Sequence, residues 1–267
     1  FASMFANFGS KVTIIGRSKL LKNEDDDIAN SVKEALRVQG VEILEGCEIE
    51  CIKENVLNFK QNGEQRCLRA DAFLIALGRV ANVDDLNLKA TGVELNEKGF
   101  IKTNENLQTN VPNIYAVGDV RGGELFTYTS LDDFRIVYSQ IFGDKKRNTK
   151  NRSIHANVLF TDTPLARVGM NAKEASKLGL NFKELKLSMA TVPGAKVLNH
   201  DVGMLKAIVD AQSGEILGAS FHCIYANELI NEIAIAMNLK ANANFFKNQI
   251  FTHPSISEAL NDLFGQF

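Results

Sequence analysis

The chain has 267 residues, long enough for two domain-sized units and a sizeable core, and its 45% hydrophobic and 23% charged residues are ordinary globular composition. A formal net charge of −2 gives no reason to invoke nucleic acid or an anionic membrane surface as a partner. No apolar run approaches the ~18 residues of a membrane span and no basic start leads into a hydrophobic segment, so the expectation is a cytoplasmic protein without membrane contact. Phe1 to Phe8 reads as a helix ended by Gly9, and Lys11-Val12-Thr13-Ile14-Ile15 as a buried strand. Ile28, Val32, Ala35 and Leu36 form one face of a helix closed by Gly40, giving strand-helix-strand about a parallel sheet. Glu48 to Ala70 reads as a meander with a turn at Asn62-Gly63, and Phe73-Leu74-Ile75-Ala76-Leu77-Gly78 returns as a buried strand.

Cys47 and Cys51 sit in a strand-like alternation among three glutamates, the wrong setting for a low-pKa thiol, and are taken as ordinary thiols. Cys67 and Cys223 are lone, and no metal site is assigned. The basic run from Asp144 to Arg152 is expected to be a solvated linker at a domain boundary. Asn171-Ala172-Lys173-Glu174 has capping-box spacing, and Leu205 to Asp210 pairs with Ile216 to His222 across Ser213-Gly214. Leu229, Ile230, Ile233 and Met237 make an apolar helical stripe, read first as packing on its own sheet and second as subunit contact.

Two segments carry chemistry. Near the end, Thr252-His253-Pro254 is followed by Ser255-Ile256-Ser257-Glu258, so a proline-restrained imidazole precedes a carboxylate that could fix its tautomer and stabilise its cation. The same spacing also suits a terminal helix capped by Ser255 or Ser257 beside an incidental surface histidine. Upstream, Asn113-Ile114-Tyr115-Ala116-Val117-Gly118-Asp119-Val120 reads as a buried parallel strand stopped by Gly118-Asp119, with a loop into a helix start near Tyr128. A plain turn is the alternative.

Together these segments resemble the pyridine nucleotide-disulfide oxidoreductases, the family of dihydrolipoamide dehydrogenase, glutathione reductase and mercuric reductase. The resemblance implies that Ile114 to Val120 is the second FAD motif, with Gly118 and Asp119 at the ribityl chain and Thr127 beside the flavin ring. It implies that Gly78, in Gly78-Arg79, lies where the backbone passes the nicotinamide nucleotide, and that His253 and Glu258 are the catalytic pair. Phe160 to Met170 looks like the entry to the dimerisation domain. Phe126 to Asp133 and Ser257 to Phe264 look most like the bacterial reactive-chlorine-resistance branch.

The implied fold class is α/β and α+β: a partial Rossmann-like NAD(P)-binding domain over 1–80, an FAD-domain return segment with linker over 81–150, and a C-terminal α/β dimerisation domain with an antiparallel sheet over 151–267. Family members are longer and begin with a glycine-rich FAD fingerprint and a Cys-x-x-x-x-Cys pair, neither of which occurs here. The expectation is the C-terminal part of a homodimeric enzyme that uses FAD and NAD(P)H to reduce a disulfide or another small acceptor, the fragment itself inactive and cofactor-free. Its alternative is a dimerisation and partial nucleotide-binding module without turnover. Where an acid would favour NADH the chain has Gly16, followed by Arg17, which could accommodate the NADPH phosphate or be a solvated cation.

Overall fold

The computed structural model describes residues 1–267. The chain forms two compact units, one made of 1–72 with 154–267 and the other of 73–153. The first unit opens with α1 (Ala2–Asn7), β1 (Thr13–Gly16), α2 (Asp26–Val38) and β2 (Glu42–Glu45). β1 and β2 pair in parallel with Thr13 opposite Glu42. α2 buries Ile28, Val32 and Leu36 while Val38 points out, which is the helical face read from the sequence. β3 (Cys47–Lys53), β4 (Val56–Gln61) and β5 (Glu64–Arg69) then form the expected meander, antiparallel throughout. It turns at Asn62 and Gly63, whose φ angles of 54° and 84° are the pair a tight hairpin turn requires. All four cysteines are free thiols.

Residues 73–153 depart most from expectation. The unit contains the short α3 (Leu88–Thr91) and the long α4 (Thr127–Phe142), with the residues between them in turns, isolated bridges and one turn of 3-10 helix at Gly118–Arg121. Phe73–Gly78 forms no strand, and Leu74, Ile75 and Leu77 are exposed. Nor is Ile114–Val117 a buried parallel strand. Gln108 and Tyr115 make one antiparallel bridge, Ala116 is buried and Val117 is exposed. Strand propensity is present in both segments, but no neighbouring strand of the unit supplies the ladder hydrogen bonds that would make it count.

The remainder of the first unit runs β6 (Asn157–Leu159), β7 (Leu165–Gly169), α5 (Ala172–Lys177), β8 (Phe182–Ser188), α6 (Pro193–Val197), β9 (Met204–Asp210), β10 (Ile216–His222), α7 (Ala226–Asn238), α8 (Ala243–Asn248) and α9 (Ala259–Phe264). Its five-stranded antiparallel sheet has the order β6-β7-β10-β9-β8, with β9 and β10 forming the expected hairpin. α7 lies on this sheet, burying Leu229, Ile230 and Ile233, with Met237 partly buried, so the stripe packs on its own sheet. The capping box at α5 is formed: Asn171 Oδ1 accepts the Glu174 N–H at 2.9 Å and Glu174 Oε2 accepts the Asn171 N–H at 3.0 Å. The terminal helix starts at Ala259, later than the Ser255 or Ser257 cap expected, because Ser255 to Glu258 close a turn of their own.

Candidate functional site

In the first unit the loop before α9 brings His253 and Glu258 together. His253 Nδ1 lies 2.8 Å from Glu258 Oε2, and the His253-Pro254 peptide is cis. The other carboxylate oxygen of Glu258 accepts the Ser255 N–H at 3.0 Å, and Ser255 Oγ accepts the Glu258 N–H at 3.2 Å. Glu258 is therefore held from both sides, and the bond to His253, followed by the Ser255 amide, holds its carboxyl below the usual carboxylate range. With Nδ1 facing a carboxylate, the proton sits on Nδ1 and the basic lone pair on Nε2. The His253 side chain is 70% exposed, so that nitrogen is open to an incoming group.

The loop is braced from behind. Asn261 Nδ2 donates to Phe246 O at 2.7 Å and to Gln249 O at 2.8 Å, while Phe246 and Phe264 stack with centroids 4.9 Å apart. Ser257 Oγ donates to Glu232 Oε1 on α7 at 2.6 Å. A cleft of about 620 Å³ runs beside Pro254, walled by Val197, Leu198, Tyr225 and Glu228. Arg17 lies at the end of β1 with its side chain exposed.

The second candidate region lies wholly within residues 73–153. Gly118 has φ +69°, and a Cβ there would come within 2.9 Å of Ser130 Oγ, so only glycine fits the turn without a shift. Asp119 follows with a half-exposed carboxylate that accepts from Arg79 Nη1 at 3.0 Å, and the same nitrogen donates to Leu125 O at 3.1 Å. Arg79, next to Gly78, thus gathers the Asp119 turn and the segment entering α4. Thr127, exposed, opens that helix, and the buried Thr129 fixes its start by donating to Phe126 O at 2.7 Å.

One residue of this region escapes a reading of the sequence. Asp133 is fully buried in α4, accepts the Gly118 N–H at 2.8 Å and takes a two-pronged contact from Arg121, Nε at 2.6 Å and Nη2 at 2.9 Å. Arg152 also donates to Asp133, and its Nε reaches Asp132 at 2.7 Å, while Arg147 pairs with Asp132 and Lys150 with Glu105. Burial opposes the Asp133 charge, yet Arg121, the Gly118 amide and Arg152 together hold its carboxyl below the usual range. Most of the basic run, including residues 144–147, is exposed as a solvated linker would be, but Arg152 at its end is largely buried and anchored. A signal was available, since Thr129, Asp133 and Ile136 follow helical spacing on the buried face of α4.

No group of three or more His, Cys, Asp or Glu side chains is placed to hold a metal ion, and no helix is long and apolar enough to cross a membrane.

Known proteins match this chain along nearly its whole length. The family model described as pyridine nucleotide-disulphide oxidoreductase matches residues 1–141, and the model of that family's dimerisation domain matches 155–264. The chain is 43% identical over 266 residues to the probable pyridine nucleotide-disulfide oxidoreductase RclA of Escherichia coli, covering 99% of this chain and 60% of that protein. It is 33% identical over 239 residues to a mercuric reductase of Staphylococcus aureus, covering 88% of this chain and 44% of that one. Among solved structures, the Cu(II) complex of the HOCl-induced flavoprotein disulfide reductase RclA from Escherichia coli superposes with a TM-score of 0.93 at 42% identity, covering 100% of this chain and 60% of that one. LpdA from Mycobacterium tuberculosis, at 21% identity and a TM-score of 0.87, supports the fold. The chain thus spans about 60% of the length of RclA, the relative that also meets the resemblance to the reactive-chlorine-resistance branch. Two domain models end to end over an α/β and α+β fold establish that this chain belongs to the pyridine nucleotide-disulfide oxidoreductase family.

Proposed function

We propose that this chain works within an FAD-dependent oxidoreductase that takes hydride from NAD(P)H and passes electrons to a disulfide or another small acceptor. The observation that carries the reading is the 2.8 Å contact between His253 and Glu258, in a chain of a disulfide oxidoreductase family. The Gly118-Asp119 turn fits a flavin dinucleotide. Its glycine, required by the positive φ and by Ser130 packed against it, fixes the turn, its carboxylate is 54% exposed for sugar-type hydroxyls, and Thr127 offers the start of a 16-residue helix. Bound FAD would supply the two-electron chemistry that no side chain here provides.

The residues of the chain then bind, orient and move protons. Asp119 and Gly118 hold the ribityl chain and Thr127 borders the ring. Gly78, at φ +145° and exposed, lets the backbone pass close to the nicotinamide nucleotide. Arg17 meets the extra phosphate when NADPH is the donor. His253 Nε2 takes the proton from a thiol that attacks the acceptor disulfide and delivers it to the thiolate that leaves as the acceptor S–S bond breaks, while Glu258 stabilises the imidazolium on the far side. In a homodimer built on the dimerisation domain over 151–267, His253 serves the flavin site of the partner subunit.

Several apolar side chains of 73–153 face outward, among them Leu74, Ile75, Leu77, Leu131, Phe134 and Phe142. This supports a working enzyme in which further sheet structure covers them. The 267 residues on their own are proposed to be inactive and cofactor-free, since the sequence contains no Gly-x-Gly-x-x-Gly run to hold a pyrophosphate. Cytoplasmic placement belongs to the same proposal.

The test is kinetic. In the flavin-loaded enzyme, His253→Gln is expected to leave flavin reduction by NAD(P)H nearly unchanged and to slow turnover of a disulfide acceptor by about 10²- to 10⁴-fold, because only the proton-transfer step has lost its base. Equal disulfide turnover in variant and wild type would remove His253 from the mechanism.

A further inference from the structure

The contacts of Asp133 are arranged differently from those of an ordinary surface ion pair. Its Oδ2 receives both the Gly118 N–H and Arg121 Nε, and its Oδ1 receives Arg121 Nη2 and Arg152. The aspartate is fully buried, and the side chains of Arg121 and Arg152 are 15% and 12% exposed. Four donors thus converge on one carboxylate, three of them from charged groups, which is the arrangement that makes buried ionic contacts strong and geometrically specific. Three of the donors belong to the stretch around Asp119: the Gly118 amide lies one residue before it and the two Arg121 nitrogens come from two residues after it. Arg152 comes from the far end of the unit.

We propose that Asp133 is a positioning residue for Asp119, fixing the turn that presents the Asp119 carboxylate, with Arg121 and Arg152 as its charge partners. The inference rests on the reading of Asp119 as a flavin contact. Free rotation about Gly118 would otherwise let the turn adopt many conformations, because glycine is the residue least able to hold one. Asp133 removes that freedom by bonding the Gly118 amide itself and by gripping Arg121 on the other side of Asp119. The Arg79 contact to the Asp119 carboxylate itself joins largely exposed groups and is correspondingly weak. Orientation of the ligand-facing carboxylate is therefore set from inside the unit, through a residue that never touches the ligand.

The experiment uses the flavin-loaded enzyme and compares Asp133→Asn with Ile136→Val, a mild change at a buried position of the same helix. Two quantities are measured for each: amide hydrogen exchange at Gly118, and the dissociation constant for FAD from flavin fluorescence. Asp133→Asn is expected to speed Gly118 exchange and weaken FAD binding, each by about tenfold or more, the scale of losing charge-assisted hydrogen bonds. Ile136→Val is expected to change neither by more than about twofold, even if the melting temperature drops. If Asp133→Asn fails to fold, Arg121→Lys keeps the charge and removes the two-pronged grip, and the same two shifts are expected at smaller size.

Unchanged Gly118 exchange in Asp133→Asn, or in Arg121→Lys where only that variant folds, overturns the proposal. So does an FAD constant that shifts no more than in Ile136→Val. Asp119→Ala serves as the separate control. If it leaves FAD binding intact, the flavin reading of Asp119 is what fails, while faster Gly118 exchange in Asp133→Asn would still report the hold on the turn.

Discussion

Glu258 serves two partners through its two carboxylate oxygens, His253 Nδ1 at 2.8 Å and the Ser255 amide at 3.0 Å. Glu258→Gln would keep an oxygen for Ser255 but turn an NH2 group toward Nδ1. The imidazole would then have to place its proton on Nε2, the nitrogen that should be the base. Disulfide turnover in the flavin-loaded enzyme is expected to fall by about 10²-fold or more, against less than about tenfold for Ser255→Ala, which loses only a turn contact. Similar losses in the two variants would show that Glu258 acts as a loop staple alone. The family resemblance singled out this pair, where spacing alone also allowed an incidental histidine, and because its members are 5 residues apart a turn suffices to join them. Asp133 was not legible in the sequence, since its partners Gly118 and Arg152 lie 15 and 19 residues away and only the folded unit brings them together.

Periodicity located most elements, and it failed where a neighbour decides. α2, the meander, the β9-β10 hairpin and the α7 stripe follow from spacing alone because each is held by local pairing or by one face. Ile114–Val117 and Phe73–Gly78 have the residues of buried strands, but no strand of their unit pairs with them. α4 turns Thr129, Asp133 and Ile136 inward while Leu131, Phe134 and Tyr138 face out. The first unit is also fastened by charges that composition cannot reveal. Lys206 on β9, its side chain 4% exposed, contacts Asp25 at 2.7 Å, Asp27 at 3.1 Å and Glu184 at 3.0 Å, and Asp25 also accepts the N–H groups of Ala172 and Lys173 at the start of α5. Burial works against the Lys206 charge, but the three carboxylates outweigh it and raise its pKa. Lys206→Ala would leave three carboxylates around a vacated site, with Lys186 still pairing Asp27 and Glu184. The expected cost is about 3 kcal/mol, at the lower end for breaking a buried ion pair, read as a shift of the urea midpoint at unchanged slope. A loss below about 1 kcal/mol would mean that the network relaxes around the gap.

At the scale of the whole molecule, His222 sets how stability depends on pH. It is fully buried at the end of β10, 2.8 Å from Ser31 Oγ on α2, and burial pushes its pKa down from 6.5 to about 4. In the unfolded chain the ring takes up a proton near pH 6.5, whereas in the folded chain it stays neutral until about pH 4. Between these values the unfolded state binds more protons, so stability is complete above about pH 6.5 and falls as the pH drops. The slope approaches 1.4 kcal/mol per pH unit, and crossing the whole window costs roughly 3 kcal/mol. Asp27, Glu184 and Asp133, with pKa values lowered by their partners, lose their contribution as the pH falls from the ordinary carboxylate range to below it. Glu24, raised by burial, acts in the opposite direction near the lower edge of the window. Urea titrations at pH 7.5, 6.0 and 5.0 should therefore show the midpoint falling with pH in the wild type. His222→Gln, which keeps a polar partner for Ser31 and cannot titrate, should flatten that fall by close to one proton's worth of slope. Parallel profiles for the two proteins would mean that the ring is solvated enough to protonate in place and that α2 and β10 separate without unfolding the rest.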